Sequence, residues 1–394
     1  MLPPELLKII LSRVPARCLL RFRCVSKSWL SIIDSPDLIK LHLKKSVESY
    51  TNHSLILTET GLDFHMLDLG LLDNNNPKKP RISKTPFPGD EIRGISNTCD
   101  GLVVVTAYLF GPLALWNPFM KKHIIFPDSP SKCSDRCYFP DVLFGLGYDS
   151  KTDNYKVVRN FEYKNLRTHQ LVGSKTEVYT FKSKVWKEVQ PFPCPLSYTM
   201  QLWVGPVNGS LHMLCMDKSR RHSKIVGFSV ENENYFEMMF PKGTNSVMGL
   251  DLLGGCLSMT CGNTESQINI WVMKEYGVQE SWTNLISIVN PVCDNPYDCF
   301  KPLVYSEDGQ KILMYGNRAK FVWYDLKTKT MENVKVVGVP YLVQLEPFVQ
   351  SLVFPGDSKP RQAFDVTKVR PQIKEEKVKP KRDDFLSKGF KLKL

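Results

Sequence analysis

Large apolar residues recur at three- and four-residue spacings through the first fifty positions, then give way to short alternating runs between turn residues. Leu6, Leu7, Ile10, Leu11 and Val14 make one stripe of a helix. Pro3 and Pro4 suit its first turn, where a missing N–H costs little, and Pro15 stops it. A second helix is predicted from Ala16 to Val25, with Cys18, Leu19, Phe22 and Val25 inward and Arg17, Arg21 and Arg23 interleaved. Ser26 is the expected N-cap of a third, which holds Trp29, Ile32 and Ile33. Ser35-Pro36 breaks it, and Asp37 to Lys45 reads as a fourth, with Leu38, Leu41 and Leu43. A unit under about fifty residues cannot bury all these groups among its own helices. Its apolar face must dock on the rest of the chain or on a partner.

From residue 50 the period is that of strands, bounded by Gly, Pro, Asn and Asp, which predicts an antiparallel all-β body. One strand type, a Gly-containing turn followed by an apolar run, recurs at Asp100-Gly101, Asn208-Gly209, Gly254-Gly255 and Asp308-Gly309. A second type follows each, and its anchors lie at Leu67, Trp116, Phe181, Phe228, Trp271 and Trp323. Intervals near 40–50 residues match the blade of a β-propeller, so six anchors predict six blades. The long second interval, from Trp116 to Phe181, leaves room for an insertion near Ser129–Phe139. Trp186 and Trp282 follow the anchors and are expected to pack between neighbouring blades. Open sheet edges invite aggregation, so 349–354, which alternates as a strand, is predicted to close the ring by completing the first blade near residues 54–70. A β-sandwich, or two stacked β domains, is the competing arrangement.

Charge divides the chain differently. Lys+Arg number 52 and Asp+Glu 40, a formal net charge of +12. Residues 1–46 hold 9 basic and 3 acidic side chains, residues 368–394 hold 10 and 4, and the stretch between is neutral. Nucleic-acid binders usually place the excess on the folded body, which argues against that role for the large domain. The division is therefore a helical domain at 1–46, a β domain at 47–355 and a basic tail at 356–394. No stretch approaches the roughly 18 apolar residues of a membrane span, and Met1-Leu2-Pro3-Pro4-Glu5 lacks signal-peptide order. Eleven irregularly placed cysteines suit reduced thiols, and hence a cytoplasmic or nuclear setting.

Candidate chemistry is sparse. The seven histidines form no metal-spaced pair, and Cys133-x-x-x-Cys137 has no second ligand pair at suitable spacing. Asp149, Asp153, Glu307 and Asp308 fall in turns, where acidic side chains bond their own backbone. His212 reads as a half-buried structural histidine. No catalytic residue, metal or cofactor is expected. Binding is better served by Tyr, Trp and Arg on irregular loops, which makes Tyr163, Arg167, Arg220, Arg221 and Tyr297 the candidate contacts to a protein substrate.

Leu2-Pro3-Pro4-Glu5-Leu6-Leu7, Ile10-Leu11, Arg13-Val14-Pro15, Leu19-Leu20-Arg21, Val25-Ser26-Lys27 and Trp29 together resemble the F-box, particularly its plant form. Val142-Leu143-Phe144-Gly145-Leu146-Gly147-Tyr148-Asp149, Thr152-Asp153-Asn154-Tyr155-Lys156-Val157-Val158-Arg159, Trp116-Asn117-Pro118 and Val207-Asn208-Gly209 resemble the plant F-box-associated domain, which is related to kelch repeats. The resemblance implies a substrate receptor of a Skp–cullin–F-box ubiquitin ligase. Leu2, Pro3, Leu6, Ile10, Leu11, Pro15, Leu20, Val25 and Trp29 would form the face for the Skp-type adaptor, with cullin and RING subunits beyond it. Arg382 to Leu392 resembles the tail of one plant member of the family, which implies nucleotide-binding leucine-rich-repeat immune receptors as substrates marked for proteasomal degradation. A propeller enzyme with a helical arm is the alternative reading; a basic-armed nucleic-acid protein is a third.

Overall fold

The computed structural model describes residues 3–59, 64–72, 80, 82–85, 92–107, 113–131, 137–139, 142–196, 199, 202–216, 223–244, 247–262, 267–289, 300–316, 320–339 and 342–355. Four helices come first: α1 (Pro4–Leu11), α2 (Ala16–Phe22), α3 (Lys27–Ile33) and α4 (Pro36–Glu48). The Ser26 and Ser35 side chains accept from the backbone N–H groups of Trp29 and Leu38 and so cap α3 and α4. Leu11, Leu19, Ile33 and Leu38 close a small core between the helices. Val25, expected inward, lies past the end of α2 and is 59% exposed.

Six sheets follow, which are the six blades that the anchor spacing predicts. The first takes β1 (His53–Glu59), β2 (Phe64–Asp68) and β3 (Ser83–Lys84). The second takes β4 (Ile92–Cys99), β5 (Leu102–Ala107), β6 (Leu113–Asn117) and β7 (Lys122–Ile125). The third takes β8 (Cys137–Tyr138), β9 (Val142–Asp149), β10 (Asn154–Asn165), β11 (Leu171–Thr180) and β12 (Val185–Val189). The fourth holds β13 (Val204–Val207), β14 (Ser210–Met216), β15 (Ser223–Ser229) and β16 (Asn234–Met238). The fifth holds β17 (Val247–Leu253), β18 (Cys256–Gly262), β19 (Gln267–Met273) and β20 (Trp282–Val289). The sixth holds β21 (Phe300–Tyr305), β22 (Lys311–Gly316), β23 (Lys320–Asp325) and β24 (Met331–Val334). Five anchors lie on the third strand of their blade, and Phe181 lies one residue past β11.

Ring closure differs from the expectation. The closing strand is β25 (Leu342–Val349), antiparallel to β1, with Leu345 opposite Leu57 and Val349 opposite His53. Residues 350–355 are not strand. They continue as a strap along the helices, where Leu352 enters the helical core. Alternation alone could not separate the two, because the strap buries Gln350, Ser351, Leu352 and Val353 consecutively against different elements. The insertion also has a form: β8 pairs with the tip of β10, Tyr138 opposite Lys164, and so widens the third blade.

One apolar cluster fills each of the six junctions between blades. Period-two alternation divides the side chains between them. Val103 and Val105 of β5 pack toward the first blade, while Leu102 and Val104 pack toward the third. Each outer tryptophan reaches the preceding blade: Trp186 Nε1 donates to the Pro127 carbonyl at 3.0 Å, and Trp282 Nε1 to that of Met239 at 3.1 Å. Around the channel the innermost strands are tied by side chains. Asn97 Nδ2 donates to the carbonyls of Leu146 and Gly205, both at 2.8 Å, and Asn97 Oδ1 accepts from Leu146 N–H at 2.9 Å.

Candidate functional site: an apolar helix face beside a closed propeller

Pro3 and Pro15 stand just outside the ends of α1, and the helix carries its apolar residues on two faces. One face goes inward, and Leu11 is 1% exposed against Leu19, Ile33, Leu38 and Leu352. Leu11 is therefore core rather than docking surface, a correction to its place in the expected adaptor face. It continues the stripe that begins at Leu7, whereas Leu6 and Ile10 lie on the other face. Leu6, Ile9 and Ile10 are each 49% exposed. With Val25 at 59% they leave large apolar groups in water, the kind of feature that marks an interaction surface. Pro3 and Pro15 are exposed, and Leu20 and Trp29 are half-buried. The Trp29 ring meets Phe22 edge-on at 5.5 Å between centroids, so this tryptophan serves packing inside the unit. Leu2 lies outside the described residues. Ile9 was missed, although its three-residue spacing from Leu6 is a signal that the sequence holds.

The helical unit is fixed to the propeller. Asn117, which is fully buried, donates to the carbonyls of Ser351 and Val353 and accepts from Met120 N–H at 2.9 Å. Ala16 N–H donates to Asn52 Oδ1, next to β1, at 3.0 Å, and inside the unit His42 Nε2 lies 2.9 Å from the Val14 carbonyl. Lys40 of α4 bonds Asp153 at 2.7 Å, and Tyr148 Oη donates to the same carboxylate. Asp153 is thus a bond between domains rather than a self-capping turn. Asp149 and Asp308 do bond their own turns, accepting from the N–H groups of Lys151 and Thr152 and of Gln310.

On the propeller, Tyr163 and Arg167 share the long β10–β11 hairpin. Tyr163 is half-buried and lies over Gly173, and Arg167 is exposed at the tip. Leu166, Leu171 and Val172, each about half exposed, extend that tip as an apolar surface which composition alone did not flag. Arg220, Arg221 and Tyr297 lie outside the described residues, so the hairpin brings together two of the five candidates.

The central channel opens on one side into a cavity of about 620 Å³ lined by Tyr50, His53, Asp251, Lys301 and Glu346. Lys301 Nζ bridges Asp251 and Glu346, each at 3.2 Å, and donates to the Leu345 carbonyl at 3.0 Å. Burial pushes the Asp251 carboxyl up to about 6 against the pull of Lys301. Burial opposes the charge of Lys301, but the two carboxylates more than offset it and raise its pKa. These charges face each other across three blades and tie β17, β21 and β25 together. His212 is wholly buried, not half-buried, with Nε2 2.8 Å from Tyr276 Oη.

Among the described residues no helix is long and apolar enough to cross a membrane. The F-box domain family matches residues 1–41, and the F-box associated beta propeller domain family matches residues 56–353. F-box protein CPR1 of Arabidopsis thaliana is 31% identical over 100% of this chain and 99% of its own. An F-box/kelch-repeat protein of the same plant, At3g23880, is 29% identical over 73% of this chain and 79% of its own. The solved Dos1 propeller covers 72% of this chain and 68% of its own, with a TM-score of 0.37 and 10% identity. The helical unit, the six-bladed ring and these two family matches agree: the chain belongs to the F-box proteins that carry an F-box-associated β-propeller.

Proposed function

We propose that this chain is the non-catalytic substrate-recognition subunit of a Skp–cullin–F-box ubiquitin ligase. The observation that carries the reading is the exposed apolar face of α1, Leu6, Ile9 and Ile10, on a helical unit locked to a closed propeller by Asn117 and Leu352. An apolar helix face of this kind suits a helical adaptor. The chemistry belongs to the partners. This chain contributes position, because a rigid link between adaptor face and propeller raises the effective concentration of a bound substrate's lysines at the ubiquitin-loaded enzyme. The substrate surface is assigned to the loops and hairpin tips of the propeller, with Tyr163 and Arg167 on the third blade as its described members. Intracellular immune receptors of the nucleotide-binding leucine-rich-repeat class are the proposed substrates, on the resemblance of the 382–392 tail. Cytoplasm and nucleus are the proposed compartments, since eleven irregularly placed cysteines suit reduced thiols.

Reconstitution with a Skp-type adaptor, cullin and RING subunits tests the reading. Adding the full chain should make one candidate receptor a substrate for polyubiquitination, and Leu6→Asp should end that transfer while leaving receptor capture intact. Transfer that proceeds equally without this chain would refute it.

A further inference from the structure

We infer that the cleft between α4 and the second and third blades is a docking site for an acidic, apolar-bearing peptide segment of another protein. The cleft holds about 1,910 Å³. Ile39, Leu43 and Val47 of α4 line one wall, and Ile125, Phe181 and Phe354 belong to the opposite side. Val47 and Ile125 remain 47% and 45% exposed, so apolar surface is left open inside a concave site.

Its charge selects the occupant. Every acidic side chain that lines the cleft already has a partner. Asp34 is bonded by Arg23 at 2.8 Å, Asp153 by Lys40 at 2.7 Å, and Glu48 by Lys45 at 3.0 Å. Asp100 accepts from Tyr155 Oη at 2.8 Å. The blade wall then presents Lys121, Lys122, Lys182 and Lys184 with no carboxylate bonded to them among the described residues. Lys182 donates to the Thr152 carbonyl and Lys122 sits 5.6 Å over the Phe354 ring, and neither contact removes a charge. Two turns on neighbouring blades thus place four lysines along one apolar cleft. Carboxylates would meet the lysine rim while leucine or phenylalanine side chains meet the α4 wall.

The chain's own continuation is a poorer fit. Pro355 is the last described residue and lines the cleft, but residues 368–394 carry 10 basic against 4 acidic side chains, a charge that the rim would repel. A polynucleotide would satisfy the lysines and leave Ile39, Leu43 and Val47 without an apolar counterpart. This site is separate from the α1 face and does not depend on the adaptor reading.

The probe is a fluorescein-labelled helical peptide of about 18 residues, some five turns, with leucines at i, i+3, i+4 and i+7 and glutamates elsewhere. Fluorescence anisotropy with the full-length chain should show saturable binding that weakens as salt rises. Lys121→Glu with Lys184→Glu should weaken it by roughly tenfold or more, and Val47→Ser should weaken it several-fold. Lys327→Glu with Lys329→Glu, an equal charge change on the sixth blade, should leave it unaltered. All variants are exposed positions, and urea midpoints establish that they fold. Three results would overturn the assignment. These are no saturable binding, binding indifferent to the Lys121/Lys184 reversal, or equal or tighter binding of a lysine-for-glutamate peptide or a single-stranded oligonucleotide.

Discussion

The side-chain amide of Asn117 donates to the carbonyl oxygen of Val353 at 2.8 Å, across 236 positions of sequence. The same amide reaches the Ser351 carbonyl at 3.1 Å. Asn117 sits at the end of β6, where the third strand of the second blade turns toward Pro118. Val353 belongs to the strap that leaves the ring after β25. Between those two bonds the strap inserts Leu352, 4% exposed, among Leu11, Leu19, Ile33 and Leu38. Burying one leucine side chain is worth about 1.5–3 kcal/mol, and here that burial joins helical unit and propeller. The Trp-Asn-Pro element therefore works twice: Trp116 fills the junction between the first two blades, and Asn117 holds the domains together.

Replacing Asn117 by alanine should leave two strap carbonyls without a donor in a buried setting. Buried polar groups without partners cost about 1–3 kcal/mol each. Global stability in urea should fall by at least that amount. Limited proteolysis should also cut faster near 350–355 than in the unaltered chain. Cleavage rates and midpoints equal to those of the parent would mean that Leu352 alone holds the strap.

Neighbouring positions of α1 should separate stability from docking. Leu6→Asp and Ile10→Asp place a charge where the side chain is already half in water, so the urea midpoint should move little. Co-purification with a Skp-type adaptor should be lost. Leu11→Ala does the opposite, emptying a site in the helical core at a cost of about 2–5 kcal/mol. Retention of the adaptor by folded Leu6→Asp would remove α1 from the interface.

Closure of the ring can be probed at one turn. Gly101 adopts φ +81, and a Cβ placed there would strike the Val349 carbonyl oxygen and the Ser351 side chain. Gly309, at φ +70, has the equivalent place in the sixth blade with open space around it. Gly309→Ala should cost only the left-handed backbone strain, about 1–2 kcal/mol. Gly101→Ala should cost clearly more, because the closing strand must shift as well. Equal losses in denaturation would show that the first blade tolerates displacement of β25.

Much of this fold is legible in the sequence because each blade repeats the same local chemistry. Asp100-Gly101 has φ of 54 and 81, the left-handed pair of a tight hairpin, and the sequence shows it as a Gly-containing turn before an apolar run. The run around Gly145 was legible for a different reason. A side chain there would meet Trp203 and Leu211 of the next blade, so the residue is fixed by close approach. The expected closing segment, 349–354, lies just beyond the strand that closes the ring, since 342–349 and 350–354 are both apolar enough to be strand and only pairing with β1 decides between them. The two faces of α1 could not be separated either, because Leu6 and Leu11 look alike until Leu352 arrives from the far end of the chain. The lysine rim of the cleft was equally hidden, since Lys121 and Lys184 belong to different blades and meet only through the ring.

Acid should unfold this protein through its buried imidazoles. Burial pushes His212 down to about 3 and also lowers His42 and His53. An ordinary histidine titrates near 6.5, so on acidification the unfolded chain takes up protons that the folded chain refuses. The stability that neutral His212 contributes is present above pH 6.5 and is lost as pH falls toward 3, at up to about 1.4 kcal/mol per pH unit for one proton. Asp251 works in the opposite direction. Burial raises it to about 6, so its contribution is present below the ordinary carboxyl range and is lost as pH rises through 6. Urea midpoints between pH 4 and 8 should therefore fall on the acid side. His212→Gln should lower stability at pH 7 yet flatten the acid slope, whereas Asp251→Asn should steepen it by removing the opposing proton. An unchanged slope in His212→Gln would assign the acid lability to other groups.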